Sequence, residues 1–323
     1  MATYKNIKGF KIQSLASDPP APIAGQVWYN TTTDALKGHG VLGAGTWASG
    51  GNMNSGREQG SYFGSQSAGV AAGGNVATNV EEYNGTAWSN VNVIPAGGVS
   101  GAGTGPQIAG IIYGWGHGPS GGSTNNTTNY DGTNWTEVGN LNTGRNVGGC
   151  AGGVQTSALY AGGTPPTIAN TEIWNGTAWT EVADLNAARY YLKGGGTTTA
   201  AVLAGGYSGT PSTNPTQSEV WNGTSWSESA ELNTGRAFLT GGGDSSTSVI
   251  IFGGSPAPGN TTKTELWNGT AWSEQNDMAT ASESSFGTTQ GAGSATYRAR
   301  VPSPANETEE WTVPVVTQTF TVS

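Results

Sequence analysis

Apolar and polar positions along this chain follow one grammar, repeated unit after unit. In one unit Arg145 opens a run of small residues, Asn146 to Gly153, followed by a polar turn at Gln155-Thr156-Ser157. The apolar run Ala158-Leu159-Tyr160-Ala161 comes next and is closed by Gly162-Gly163. After a loop come Thr171-Glu172-Ile173-Trp174, an Asn-Gly pair, and Ala178-Trp179-Thr180-Glu181-Val182. Short runs rich in aromatic and β-branched residues, bounded by Gly and Asn, predict strands. An Asn-Gly pair between two of them predicts a hairpin with a type I′ turn, in which both central residues take positive φ. Each unit therefore predicts four strands, a to d, with a small-residue inner strand and an aromatic outer hairpin.

The outer hairpin sets the period. Asn-Gly-Thr-x-Trp or a near copy ends at Trp88, Trp135, Trp179, Trp226 and Trp272, with steps of 47, 44, 47 and 46 residues. Four strands per ~40–50 residues is the signature of a β-propeller blade. Glycine doublets (Gly73-Gly74, Gly162-Gly163, Gly205-Gly206, Gly253-Gly254), then an aromatic, a Trp, a Leu and an Arg resemble the kelch repeat over residues 41–311. Aromatic and Trp stand five apart, one fewer than in kelch, and Gly114-Trp115-Gly116 replaces the doublet in the second unit. The Arg is missing from units two and six.

Glu-x-aromatic positions count six units, ending at Trp311, and the last lacks its outer strand. Gly45-Thr46-Trp47, stranded near the N-terminus, supplies one. The predicted fold is thus all-β: a six-bladed kelch-like propeller over 41–313, closed by pairing the chain's two ends, with Trp47, Trp88, Trp135, Trp179, Trp226, Trp272 and Trp311 as blade-core aromatics. Residues 1–40 form an N-terminal arm with a proline-rich linker and a hairpin, and 314–323 a C-terminal strand. That strand needs a partner, either Ile7 to Leu15 or another subunit.

Composition narrows the function. Of 323 residues 54 are Gly, only 10% are charged, and the formal net charge is −9. An acidic chain repels phosphate backbones, so nucleic acid is not an expected partner. No apolar stretch approaches the ~20 residues of a membrane span, and no secretory signal is expected behind Met1. A single cysteine, Cys150, excludes an intrachain disulfide and reads as a packed small residue.

Gln13 to Pro20, the segment Gly25-Gln26-Val27-Trp28-Tyr29-Asn30-Thr31-Thr32-Thr33, and the repeated Asn-Gly-Thr-x-Trp-x-Glu resemble virion proteins of marine tailed bacteriophages. The resemblance implies a structural or tail-associated protein of adhesin type, assembled in the host cytoplasm and located in the virion. Residues 1–40 would dock onto other virion proteins.

In such a scaffold the b–c loops vary most, and function sits on variable loops carried by packed strands. Trp115, His117, Pro165 and Tyr207 are the candidate ligand-binding residues, as aromatic platforms for a host-surface glycan. Tyr130 fits a blade core better. Arg57, Arg145, Arg189 and Arg236 open inner strands and ring one channel mouth, where guanidinium groups suit anions. A structural use is the stronger expectation, either pairing with a nearby acid, Glu137, Glu181 or Glu228 at the end of strand d, or carbonyl capping between blades.

Enzyme motifs are missing. His39 and His117 are the only histidines, at no metal-ligand spacing, and there is no phosphate loop or nucleophile elbow. No catalytic residue, metal or cofactor is expected. The Asn-Gly-Thr triplets match glycosylation acceptors but follow from turn chemistry. The sequence thus points to a non-enzymatic virion protein recognising a host-surface glycan, with the C-terminal strand free to join an oligomer. The alternatives are a purely architectural virion component and a cellular lectin or glycosidase.

Overall fold

A computed structural model describes residues 12–22, 26–41, 44–76, 78–117, 122–208, 215–255, 259–282, 286–287, 295–299, 306–313 and 315–320. The chain divides into two compact units, Thr46–Thr312 and a smaller one of Met1–Gly45 with Val313–Ser323.

The larger unit is a six-bladed β-propeller, each blade a four-stranded antiparallel sheet. Blade I comprises Ser61–Ser65, Ala68–Ala72, Val80–Tyr83 and Trp88–Val91. Blade II comprises Ala102–Thr104, Gly110–Tyr113, Thr127–Tyr130 and Trp135–Glu137. Blade III is Gly149–Val154, Ser157–Ala161, Thr171–Trp174 and Trp179–Val182; blade IV is Lys193–Gly196, Ala201–Ala204, Ser218–Trp221 and Trp226–Glu228. Blade V is Thr240–Ser245, Ser248–Phe252, Thr264–Trp267 and Trp272–Glu274. Blade VI takes Phe286–Gly287, Ala295–Ala299 and Thr308–Thr312 from the C-terminal end and its outer strand, Thr46–Ser49, from the N-terminal end. Trp47 pairs with Trp311 in that sheet, as the two incomplete sequence units require. Strands a of successive blades touch around the axis, blade VI against blades V and I included.

The outer hairpins differ from a type I′ turn. Tyr83 pairs with Trp88, and Trp174 with Trp179, leaving four-residue loops. Only glycine takes positive φ there: +86° at Gly85, +96° at Gly176, +93° at Gly223 and +96° at Gly269. Asparagine is needed for its side chain instead. Asn84 Oδ1 accepts from the Thr86 and Ala87 amides at 3.0 and 2.9 Å, and Asn175, Asn222 and Asn268 repeat the arrangement. Such side-chain caps are a standard turn role for Asn and Asp. In blade II Asp131 does the same, and the Asn134 and Thr133 amides lower its pKa.

The strand-d tryptophans bind the blades together. Each indole reaches the hydroxyl that begins strand c of the preceding blade: Trp88 to Thr308, Trp179 to Thr127, Trp226 to Thr171 and Trp272 to Ser218, at 2.9–3.0 Å. Trp47 reaches Thr264 in the same way at 3.0 Å, so the borrowed strand seals blade VI to blade V. Only Trp135 differs, because blade I begins strand c with Val80; its indole donates to the Asn92 carbonyl. Tyr83 and Tyr130 cross their seams to Glu310 and Glu82. Burial, followed by the Glu310 hydrogen bond, raises Tyr83 to about 12. Thr171→Val should strand the buried Trp226 N–H and lower stability by about 1–2 kcal/mol, which a denaturant titration of the variant measures.

The smaller unit is a sheet in the order Gln13–Leu15, Val27–Asn30, Ala35–Val41, Val315–Phe320. The C-terminal strand therefore pairs with Ala35–Val41, not with the segment ending at Leu15. The hairpin offered a longer run of free backbone groups than the three-residue strand Gln13–Leu15. The Asp18 carboxylate gathers the Trp28 indole, the Asn30 amide and the Lys37 ammonium at 3.0, 2.7 and 2.8 Å. These partners, Lys37 first, lower its pKa to about 2. A depressed carboxylate pKa stabilises the fold above the unfolded value and ceases to do so as pH falls through the folded one. The Trp28 indole resonance in NMR should therefore hold down to about pH 4 and be lost towards pH 2; Asp18→Ala should disturb it already at pH 7.

Candidate functional site

The site is built where the chain crosses from strand d of one blade to strand a of the next. Four crossings read Asn-x-x-Arg: Asn54 to Arg57, Asn142 to Arg145, Asn186 to Arg189 and Asn233 to Arg236. In blade IV, Glu219 Oε1 takes Arg189 Nη2 at 2.7 Å, and Oε2 takes the Asn186 backbone and side-chain amides at 2.8 Å each. Arg189 Nη1 also donates to the Gly205 and Gln217 carbonyls. Arg57 with Glu81, Arg145 with Glu172 and Arg236 with Glu265 repeat this clamp at 2.6, 2.6 and 2.9 Å. Burial lowers the pKa of Arg189 and Arg236, opposed by Glu219 and Glu265.

These arginines do not line an open channel mouth, since all four side chains are 0% exposed. Their partners are the strand-c glutamates rather than Glu137, Glu181 or Glu228. The Nη donors of each guanidinium go to the strand-c glutamate and to nearby carbonyls, such as Ala71 and Tyr160 of strand b and Gln217 and Lys263 just before strand c. A buried pair stripped of one partner leaves an uncompensated charge, costing about 3–5 kcal/mol.

Blade II solves the same problem without charge. Gly98 stands in the arginine's place, Thr128 in the glutamate's, and Trp115 in that of the second doublet glycine. The Trp115 indole fills the socket: a Cβ on Gly98 would lie 1.9 Å from Trp115 Cδ1. Trp115 is 2% exposed and packs with Phe63, Ile112 and Tyr130, so it offers no platform to a ligand. Glu219→Ala should cost blade IV about 3–5 kcal/mol in a denaturant titration, and the double variant Arg189→Met/Glu219→Thr markedly less than that single change.

Two residues past each arginine position the backbone turns left-handed: Gln59, Ser100, Val147, Tyr191 and Phe238 have φ between +53° and +62°. Such conformations cost about 1–3 kcal/mol and persist only where the surroundings impose them. Here a backbone chain links four of the five. Ser100 N donates to Gln59 O, Val147 N to Ser100 O and Tyr191 N to Val147 O. These five residues line a cavity of about 70 Å³ with Tyr62, Cys150, Leu192, Lys193, Leu239 and Thr240, where the inner strands converge.

The cavity's rim is aromatic. Tyr191 lies against Phe238 with ring centroids 3.8 Å apart, and Tyr207 contacts Tyr190 and Phe238 at 5.5 Å each. All four rings are half-buried. Tyr207 is held there by a bridge between Tyr190 and Tyr207, the counterpart of Asn146–Thr164 and Ala237–Ser255. Of the sequence candidates, the structure brings only Tyr207 into this cluster. Pro165 stands exposed on the loop of blade III beside Thr164. His117 lies in a two-strand hairpin, Gly116–His117 with Gly122–Ser123, and its side chain falls outside the described residues. Tyr130 is fully buried, as its blade position implies. Tyr190, Tyr191 and Phe238 escaped the sequence reading; their fixed offset from Arg189 and Arg236 was the available signal.

The fold and the rim together define a β-propeller with an aromatic-lined channel cavity. Among solved structures the chain is similar to YjhT, at 11% identity and a TM-score of 0.66, over 83% of this chain and 99% of that one. That likeness extends to the fold. No family model and no curated protein matches the chain.

Proposed function

We propose that this chain is a non-enzymatic recognition propeller of a tailed-phage particle, binding a host-surface glycan at the channel mouth. The carrying observation is the half-buried cluster Tyr190, Tyr191, Tyr207 and Phe238, on the face that also bears the b–c loops. Ring faces presented at the edge of a concave site suit the apolar face of a sugar, and large rigid aromatics bind at little entropic cost. The carboxylates of Glu81, Glu172, Glu219 and Glu265 are committed to the clamps, which favours binding over hydrolysis. The phage assignment rests on the N-terminal motif, and residues 1–40 would then dock the propeller onto its particle.

Phe238→Ala with Tyr207→Ala should abolish binding to host cells while the purified protein keeps its unfolding midpoint within about 1 kcal/mol of the parent. Undiminished cell binding by that variant would refute the site. Docking is tested separately by cross-linking native particles: links from Lys5, Lys8 or Lys11 to other virion proteins are expected.

A further inference from the structure

Eight lysines and arginines lie among the described residues, and seven have described side chains: Lys37, Arg57, Arg145, Arg189, Lys193, Arg236 and Lys263. Six of these seven face carboxylates. Lys37 meets Asp18, the arginines meet their strand-c glutamates, and Lys263 lies within 3.6–3.8 Å of Glu274 and Asp277. Lys193 alone has no carboxylate partner among the described residues, and it lines the channel cavity. Among the described residues no aspartate or glutamate lines that cavity, although the chain carries 21 of them. Lys193 is also peculiar to blade IV. At the start of strand a the other blades place Ser61, Ala102, Gly149, Thr240 and Phe286.

A half-buried ammonium without a counter-charge, in an acidic protein, marks a place where an anion would be bound more strongly than at an open surface. The tilted ring pair of Tyr191 and Phe238 lines the same cavity, as do the polar side chains of Gln59 and Ser100. We propose that the cavity is an acidic-sugar site, taking a carboxylated or sulfated sugar residue with its ring on the aromatic rim and its anionic group on Lys193. This rests on the recognition reading above and specifies its ligand class.

The test is calorimetric titration of the full chain with glucuronate, glucose 6-sulfate, glucose and inorganic sulfate, repeated with Lys193→Gln, Lys193→Arg and Tyr207→Ala. At least one acidic sugar should bind about tenfold or more tighter than glucose and than sulfate, the effect of one charge-assisted hydrogen bond. The two acidic sugars separate a carboxylate from a sulfate ester. Lys193→Gln should erase the preference and Lys193→Arg should keep it. Equal affinity for glucose, an acidic-sugar preference that survives Lys193→Gln, or sulfate binding as tightly as the sugars would overturn the proposal. Glucose binding that survives Lys193→Gln but is lost in Tyr207→Ala would overturn the acidic preference alone and leave glycan recognition standing. No binding of any sugar would overturn both.

Discussion

The indole–hydroxyl bond that crosses five of the six blade seams is the contact that makes the ring more than six separate sheets. A four-stranded sheet of this size, with a glycine-rich inner strand, buries too little by itself, and blades gain their core by stacking on neighbours. Each strand-d Trp satisfies its single donor on the blade before it, and four of the six bury the ring there as well, so every blade depends on its predecessor. A chain laid out that way has one seam left when its ends meet. Thr46–Ser49 fills it, because the N-terminal strand can bring the missing Trp to Thr264 while pairing with Trp311. Closure and seam chemistry are the same requirement.

Much of this was legible in the chain, for identifiable reasons. Trp47 and the truncated last unit are complementary fragments of one repeat, and strand pairing leaves them no other economical arrangement. The arginine partners were misread because proximity to strand d was weighed above pattern. Glu81, Glu172, Glu219 and Glu265 occupy one strand-c position in the units that own an Arg, and Thr128 occupies it where Gly98 replaces the Arg. That internal correlation predicts the pairing. Trp115 was misread for the opposite reason: an aromatic at a loop position looks available until the cavity left by Gly98 is seen. The channel rim was illegible, because no rule of local sequence places Tyr191 or Phe238 in a left-handed conformation.

Blade II is an internal comparison between two ways of filling a blade core. An ion pair needs two charged residues, an Asn and several carbonyls, all correctly placed; Trp115 over Gly98 needs only volume. The exchange of a buried pair for apolar packing is often neutral or favourable, so the clamp's persistence in four blades calls for another benefit. Asn186 supplies it: with Arg189 it fastens the crossing to strands b, c and d of the next blade at once. In those four blades the clamp fixes where the crossing lies; Ser100 makes the same turn without one, through its backbone hydrogen bonds to Gln59 and Val147.

That placement explains why the channel rim is both strained and variable. At Gln59, Ser100, Val147, Tyr191 and Phe238 the φ angles agree within 9°, yet the side chains range from amide and hydroxyl to aliphatic and aromatic. Such a position is held by a backbone hydrogen bond, by a clamp two residues earlier, or by both, and its side chain is left free to differ between blades. A repeat protein can therefore keep one geometry in successive blades and present a different group from each. Five such groups, with Lys193 below them, converge on a single cavity. The strands and clamps carry stability, and the side chains that stability leaves free are the ones facing the channel.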